Sequence, residues 1–158
     1  MEDSFCMLRI VVGRLHFTAR LEAAAPRTVA VFRKLLPMRS KIIQARWSGE
    51  SAWVPLGDLE VGVEYENLTS HPAPGHLLLY PGGISETEIL FAYGATLFAS
   101  RMGQLAGNHF ATIEGGIEQL AELGRLVLWE GAQDIEFLDE KAGSDAGSDA
   151  GSDAGSDD

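Results

Sequence analysis

Two carboxylates, Glu86 and Glu88, stand between the apolar runs Leu77–Tyr80 and Ile89–Tyr93. Residues two apart in an extended chain point the same way. The pair could therefore hold a divalent cation, or divide acid and base roles by displacing each other's pKa. The plainer alternative is a solvated strand start. His109, beside Asn108, could be a general base or a metal ligand, or a histidine hydrogen-bonded within its own loop. Arg46 could grip a carboxylate or carbonyl through a forked hydrogen bond, or be consumed by an ion pair with Glu50, Glu86 or Glu88. Arg101 could add a second cation at a pocket rim. Carboxylates brought close to a core cost free energy unless they meet partners. A site is therefore expected in the stretch from Tyr80 through Pro81-Gly82-Gly83-Ile84-Ser85 to Leu90. No Ser-His-Asp order, Cys-His pair, hydrolase elbow or phosphate-cradling loop accompanies it.

Strands dominate the elements that must position these groups. Phe5–Val12 is almost continuously apolar, and Gly13-Arg14 suits a type II′ hairpin. The return strand alternates, with Leu15, Phe17, Ala19 and Leu21 on one face and His16 toward solvent. Pro26 opens a helix carrying Val29, Phe32, Leu35 and Leu36, ended by Pro37. Lys41–Trp47 and Ser51–Leu56 read as strands. Arg46 and Trp47 then fall on opposite faces, with Trp47 the one expected in the core. Residues 57–74 form a surface excursion, and His71 and His76 read as loop residues. Further strands are expected at 76–80, 88–93 and 107–113, a short helix stopped at Gly124, and closing strands at Arg125–Trp129 and Ile135–Leu138.

The chain has 158 residues and 46% hydrophobic content, enough for one sizeable core. Residues 4–140 are expected to form that domain, and 141–158, a Gly-Ser-Asp-Ala repeat, a disordered acidic tail. Of the 23 acids five lie in residues 141–158, as does one of the 12 basic residues, Lys141, so eighteen acids face eleven basic residues elsewhere. That balance argues against nucleic acid and anionic membrane surfaces as partners. The single cysteine, Cys6, permits no internal disulfide and no Cys-x-x-Cys metal site. The N-terminus has neither the basic start nor the long apolar run of a signal or a span, so a cytoplasmic protein is expected.

Ala25-Pro26-Arg27-Thr28-Val29-Ala30-Val31-Phe32, following a hairpin, resembles the first helix of cyclophilins. Phe110-Ala111-Thr112-Ile113-Glu114-Gly115-Gly116-Ile117 is similar to their strand, Glu-Gly turn and second helix. The blocks Ala45–Glu50, Tyr80–Leu90, Ala106–Phe110 and Leu128–Asp134 resemble the bacterial cyclophilin-like proteins of unknown function grouped as DUF3830. The resemblance implies a cyclophilin-like closed β-barrel of about eight strands capped by two short helices. It also implies that Arg46, the central turn and Asn108-His109 converge on one open face. It brings no reaction with it. The Phe-His-Arg and Gln-Gly-Gly-Asp segments of prolyl isomerases are absent, although Arg46 stands where their arginine would.

The expected function is binding of a small polar ligand or peptide bearing an amide or carboxylate. The pocket would be lined by Arg46, Trp47, Tyr80, Ser85, Glu86, Glu88, Asn108 and His109. The alternative is an enzyme acting on an amide or cyclic amide, with His109 or Glu86 as base and Arg46 as electrophilic support. Prolyl isomerisation is a third reading, resting on fold analogy. Neither a cofactor nor a metal is expected, and self-association is possible.

Overall fold

Strand residues alternate between two faces, and here that alternation closes a barrel. The computed structural model describes residues 7–140; Cys6 and the repeat tail lie outside the described residues. The chain runs β1 (Met7–Val12), β2 (Leu15–Leu21), α1 (Pro26–Lys34), β3 (Met38–Gln44) and β4 (Gly49–Gly57). After the excursion, which holds only β5 (Leu68–Thr69), come β6 (His76–Tyr80) and β7 (Thr87–Thr96). The small hairpin β8 (Ala99–Ser100) and β9 (Gly103–Gln104) precedes β10 (Gly107–Gly115), α2 (Leu120–Arg125) and β11 (Gln133–Glu140). The strand order is β2-β1-β11-β3-β4-β7-β6-β10, and β10 pairs back to β2. Eight antiparallel strands therefore form a closed barrel, with two short helices packed on it. Among the described residues no helix is long and apolar enough to cross a membrane.

The interior is filled by side chains. Leu8, Ile10, Phe17, Ile89, Phe91 and Phe137 are among the residues that meet there, and none of them is more than 1% exposed. Phe32 of α1 joins them, its ring 4.7 Å from that of Phe110 and 5.5 Å from that of Phe137. The start of α1 carries no side-chain cap of its own at Ala25. Glu66, from the excursion, accepts from the Thr28 amide at 2.6 Å and the Thr28 hydroxyl at 2.8 Å. A carboxylate distant in sequence thus satisfies an orphan donor at a helix N-terminus, where the backbone dipoles favour negative charge.

The expected strand at Arg125–Trp129 is instead helical: α2 runs on into one π-helical turn, Leu126–Glu130. Leu120, Leu123, Leu126 and Val127 are buried at helical spacing, while Leu128 and Trp129 stay 53% and 77% exposed. An apolar quartet can be read at either period, and packing chose the helical one. Gly124 does not stop this helix. It lies buried beneath the Tyr93 ring, which a Cβ would overlap.

The barrel interior is only half of what the central strands bury. Leu77–Tyr80 of β6 and Thr87–Ala92 of β7 are buried on both faces. Their inward residues enter the barrel. Outward, Leu78, Tyr80 and Leu90 form a second cluster with Ala45, Phe98, Leu105 and the partly buried Trp53. Residues 97–105, carrying the β8–β9 hairpin, form a flap that helps cover it. The Phe98 ring meets Tyr80 edge-on at 5.8 Å. Ser48 ties the flap down, its hydroxyl donating to the Ala99 carbonyl at 3.1 Å and accepting from the Ala99 amide at 3.0 Å. Ser70 donates to the Leu105 carbonyl at 2.6 Å.

Phe98 is 1% exposed, so Phe98→Ala should cost about 3–5 kcal/mol in denaturant unfolding, as aromatic truncations in cores do. A loss under about 1 kcal/mol would mean that the flap does not seal the outer wall.

Candidate functional site

The turn between β3 and β4 is held from several sides. The Gln44 amide donates to the Gly49 carbonyl at 2.7 Å and accepts at its oxygen from the Tyr93 hydroxyl at 2.6 Å. The Ala45 amide donates to the Ser51 carbonyl at 2.9 Å. β3 therefore ends at Gln44, and the strand alternation that separated Arg46 from Trp47 does not extend to them. Both are exposed, with the guanidinium 5.3 Å from the centre of the indole ring, a cation–π arrangement. Trp47, expected in the core, is 52% exposed.

Arg46 and Trp47 form one side of a cleft of about 550 Å³ on the outer wall of the barrel. Ser85 and Ile84 of the central turn, Trp53 of β4, and Arg101 and Met102 of the flap also line it, as does Glu88. The cleft lies against the second apolar cluster, not at the barrel's mouth. Arg46 pairs with none of Glu50, Glu86 or Glu88, and Arg101 is likewise unpaired among the described residues. Glu50 instead accepts from the Ala95 amide at 2.8 Å.

Glu88 is the unusual member. It points outward from β7 beside the second apolar cluster, is 6% exposed, and has no hydrogen-bond partner among the described residues. Burial, followed by the nearby charge of Glu86, pushes its carboxyl up to about 8. At neutral pH it is a carboxylic acid, able to donate as well as accept.

The remaining expected residues do other work. Tyr80 is 1% exposed, and its hydroxyl accepts from the Ile84 amide at 3.0 Å and the Ser85 amide at 3.3 Å. It shapes the central turn from beneath. Gly82 and Gly83, at φ 99° and 121°, supply the left-handed backbone this turn requires. Glu86 precedes β7 and accepts from the Gly57 amide at 3.1 Å, outside the cleft. Asn108, 0% exposed, donates to the Thr28 hydroxyl at 3.0 Å and the Glu64 carbonyl at 2.9 Å, and accepts from the Glu66 amide at 3.1 Å. Its hydrogen bonds fasten the excursion to α1, and it does not line the cleft.

His109 lies away from the cleft, on the face where β10 runs beside β6. Its ring stacks on His76 with centroids 4.0 Å apart and planes at 12°. His76, read above as a loop residue, in fact opens β6. Nε2 of His109 lies 2.8 Å from the Thr112 hydroxyl, which donates to Glu22 at 2.5 Å; with that proton committed, His109 is the donor to Thr112. Arg20 forms ion pairs with Glu22 at 3.1 Å and with Glu114. Burial lowers the pKa of both histidines; proximity to His109 lowers that of His76 further, while Glu22 pulls against the shift at both. Burial alone would raise Glu22, but the Thr112 hydrogen bond, His109 and Arg20 hold it below its ordinary value. Glu86, Glu88 and His109 do not gather, and no group of three His, Cys, Asp or Glu among the described residues could hold a metal ion.

Gln44, Ser48 and Trp53 also line the cleft. Their only signal is proximity to Arg46 in the chain, and their roles depend on a turn whose shape is set by Tyr93 and Ala99.

The chain belongs to the family DUF3830, described as protein of unknown function, which it matches over residues 8–139. Among curated proteins none matches it in sequence. Its fold is similar to that of McbB, solved in complex with tryptophan, with a TM-score of 0.65 and 18% identity over 90% of this chain. The match spans 47% of McbB, so this chain corresponds to about half of that protein. It is also similar to the hypothetical protein AF2241 from Archaeoglobus fulgidus, with a TM-score of 0.58 and 18% identity, covering 87% of this chain and 97% of that one. At this identity the likeness shows the fold.

Glu88 holds a proton in the folded chain from its ordinary 4.5 up to about 8 that the unfolded chain releases. Its contribution to stability is therefore complete below pH 4.5 and lost as pH rises through 8. Glu88→Gln should match the parent's melting temperature near pH 4.5 and exceed it increasingly toward pH 8, as thermal unfolding would record. A constant difference across that range would contradict a buried neutral acid. The histidine stack has the opposite sign. The unfolded histidines take up protons below 6.5 more readily than the folded ones, so stability falls as pH drops under that value. Replacing both His76 and His109 by Gln should flatten this acid limb, and an unchanged slope would show that the stack is not its source.

Proposed function

We propose that this DUF3830 protein binds a small molecule with a flat apolar body and a carboxylate or amide end in the cleft on its outer wall. The observation that carries this reading is a cleft of about 550 Å³, with mostly apolar walls and two arginines at its rim that form no ion pair among the described residues. Its size falls in the range of about 300–1,000 Å³ common to small-molecule sites, which combine apolar walls with a few polar groups. Trp47 and Trp53 offer surfaces for a ring. Arg46 and Arg101 would take the carboxylate through forked, charge-assisted hydrogen bonds, overriding locally the acidic balance of the whole chain. Ser85 adds a hydroxyl. McbB, which shares the fold, was solved with tryptophan, itself an aromatic carboxylate.

Binding is favoured over the amide-processing alternative because the bases named for that chemistry are engaged elsewhere. His109 faces Thr112 and Glu22, and Glu86 accepts from Gly57. Prolyl isomerisation has no further support: Arg46 lies on an exposed turn over Trp47.

Indole-3-propionate, an aromatic carboxylate without an amine, is a suitable probe. It should raise the melting temperature and bind by calorimetry. Arg46→Ala should weaken that binding about tenfold or more, the usual consequence of losing a charge-assisted contact. Binding unaffected by Arg46→Ala and Arg101→Ala together would remove the proposed site.

A further inference from the structure

We infer that the ligand of this cleft also carries a basic nitrogen, which meets the Glu88 carboxyl on the cleft wall while the arginines at the rim take its acidic end. This rests on the binding reading above and deepens it.

Three observations lead there. Glu88 is more than nine-tenths buried, yet no donor among the described residues reaches it, and it lines the cleft. Buried polar groups without partners are rare and costly, and a ligand donor entering the cleft can complete one that faces it. Second, the cleft separates its charges. Arg46 and Arg101 are exposed at the rim and the acid is buried beside the second apolar cluster, with no ion pair joining them. Third, none of the other groups facing Glu88 is hydrogen-bonded to it. Glu86 of its own turn accepts from the Gly57 amide, β4 opposite presents Trp53 and Pro55, and the Tyr80 hydroxyl of β6 is turned to the Ile84 and Ser85 amides. A site with an acid inside and cations outside matches a zwitterion with an apolar side chain, of the aromatic amino-acid type.

The proton balance gives a signature. At neutral pH the ligand arrives as an ammonium and Glu88 as a carboxylic acid. On binding, Glu88 gives its proton to solvent and the ammonium pairs with the carboxylate that remains. Binding therefore releases about one proton near pH 7, and affinity rises with pH by up to about tenfold per unit until Glu88 is ionised in the free protein.

L-Tryptophan and indole-3-propionate, which differ only in the amino group, test this in the full chain. Calorimetry in buffers of different ionisation enthalpy should show close to one proton released for tryptophan at pH 7 and none for indole-3-propionate. Tryptophan should bind at least about tenfold tighter at pH 8, and the advantage should shrink toward pH 6. Glu88→Gln should abolish both the release and the advantage. Should that variant fail to fold, the proton count and pH slope of the parent decide alone. Equal affinities without proton release, alongside Arg46-dependent binding of indole-3-propionate, would overturn the basic nitrogen and leave the carboxylate site standing. If neither probe binds, the carboxylate reading fails and this inference falls with it.

Discussion

The structure depends on burying both faces of two neighbouring strands. A barrel wall normally turns one face inward and leaves the other to water. Here β6 and β7 carry apolar residues on both, so the outer face must be covered. Residues 97–105 and the turn after β3 supply that cover through Phe98, Leu105 and Ala45. Apolar surface removed from water contributes roughly 25 cal/mol per Å², which is what keeps a short two-stranded flap against the wall. Hydrogen bonds from Ser48 and Ser70 fix where it sits.

The same cover creates the cleft. It stops short of the central turn, leaving a concave apolar space bounded by the Arg46-Trp47 turn, the flap and Ser85. Glu88 follows from the strand's own alternation: if Leu90 faces the outer cluster, so does the residue two before it. Outward direction is usually harmless for a carboxylate. On this wall, outward means into a second apolar layer, and the acid responds by keeping its proton. Its chemistry is thus set by what covers the strand, more than by its immediate sequence neighbours.

Much of the barrel was legible in the sequence. The alternation of Leu15, Phe17, Ala19 and Leu21 placed β2, and Pro26 placed the start of α1. Arg46, Trp47, Ser85 and Glu88 were identified from residue type and neighbourhood, and they line one cleft. What could not be read was the face. An unbroken run such as Leu77–Tyr80 does not say which residues enter the barrel and which leave it, so the pocket was expected at an open end. The position of His109 away from the cleft has a related reason. Its stacking on His76 depends on the register of β10 against β6, which shifts between His109 and Ala111. Such an irregularity leaves no trace in composition or period. Asn108 looked like a site residue because a buried amide and a binding amide share one signature in sequence; only its three partners tell them apart.

The most direct measurement is a carbon-13 NMR titration of the glutamate side-chain carboxyls, with Glu88 assigned by difference from Glu88→Gln. A Glu88 resonance that remains that of a protonated acid through neutral pH and titrates near 8 is the expected result. Titration near the ordinary glutamate value of 4.5 would contradict it. Glu88 would then be solvated or paired, and the cleft would hold no buried neutral acid.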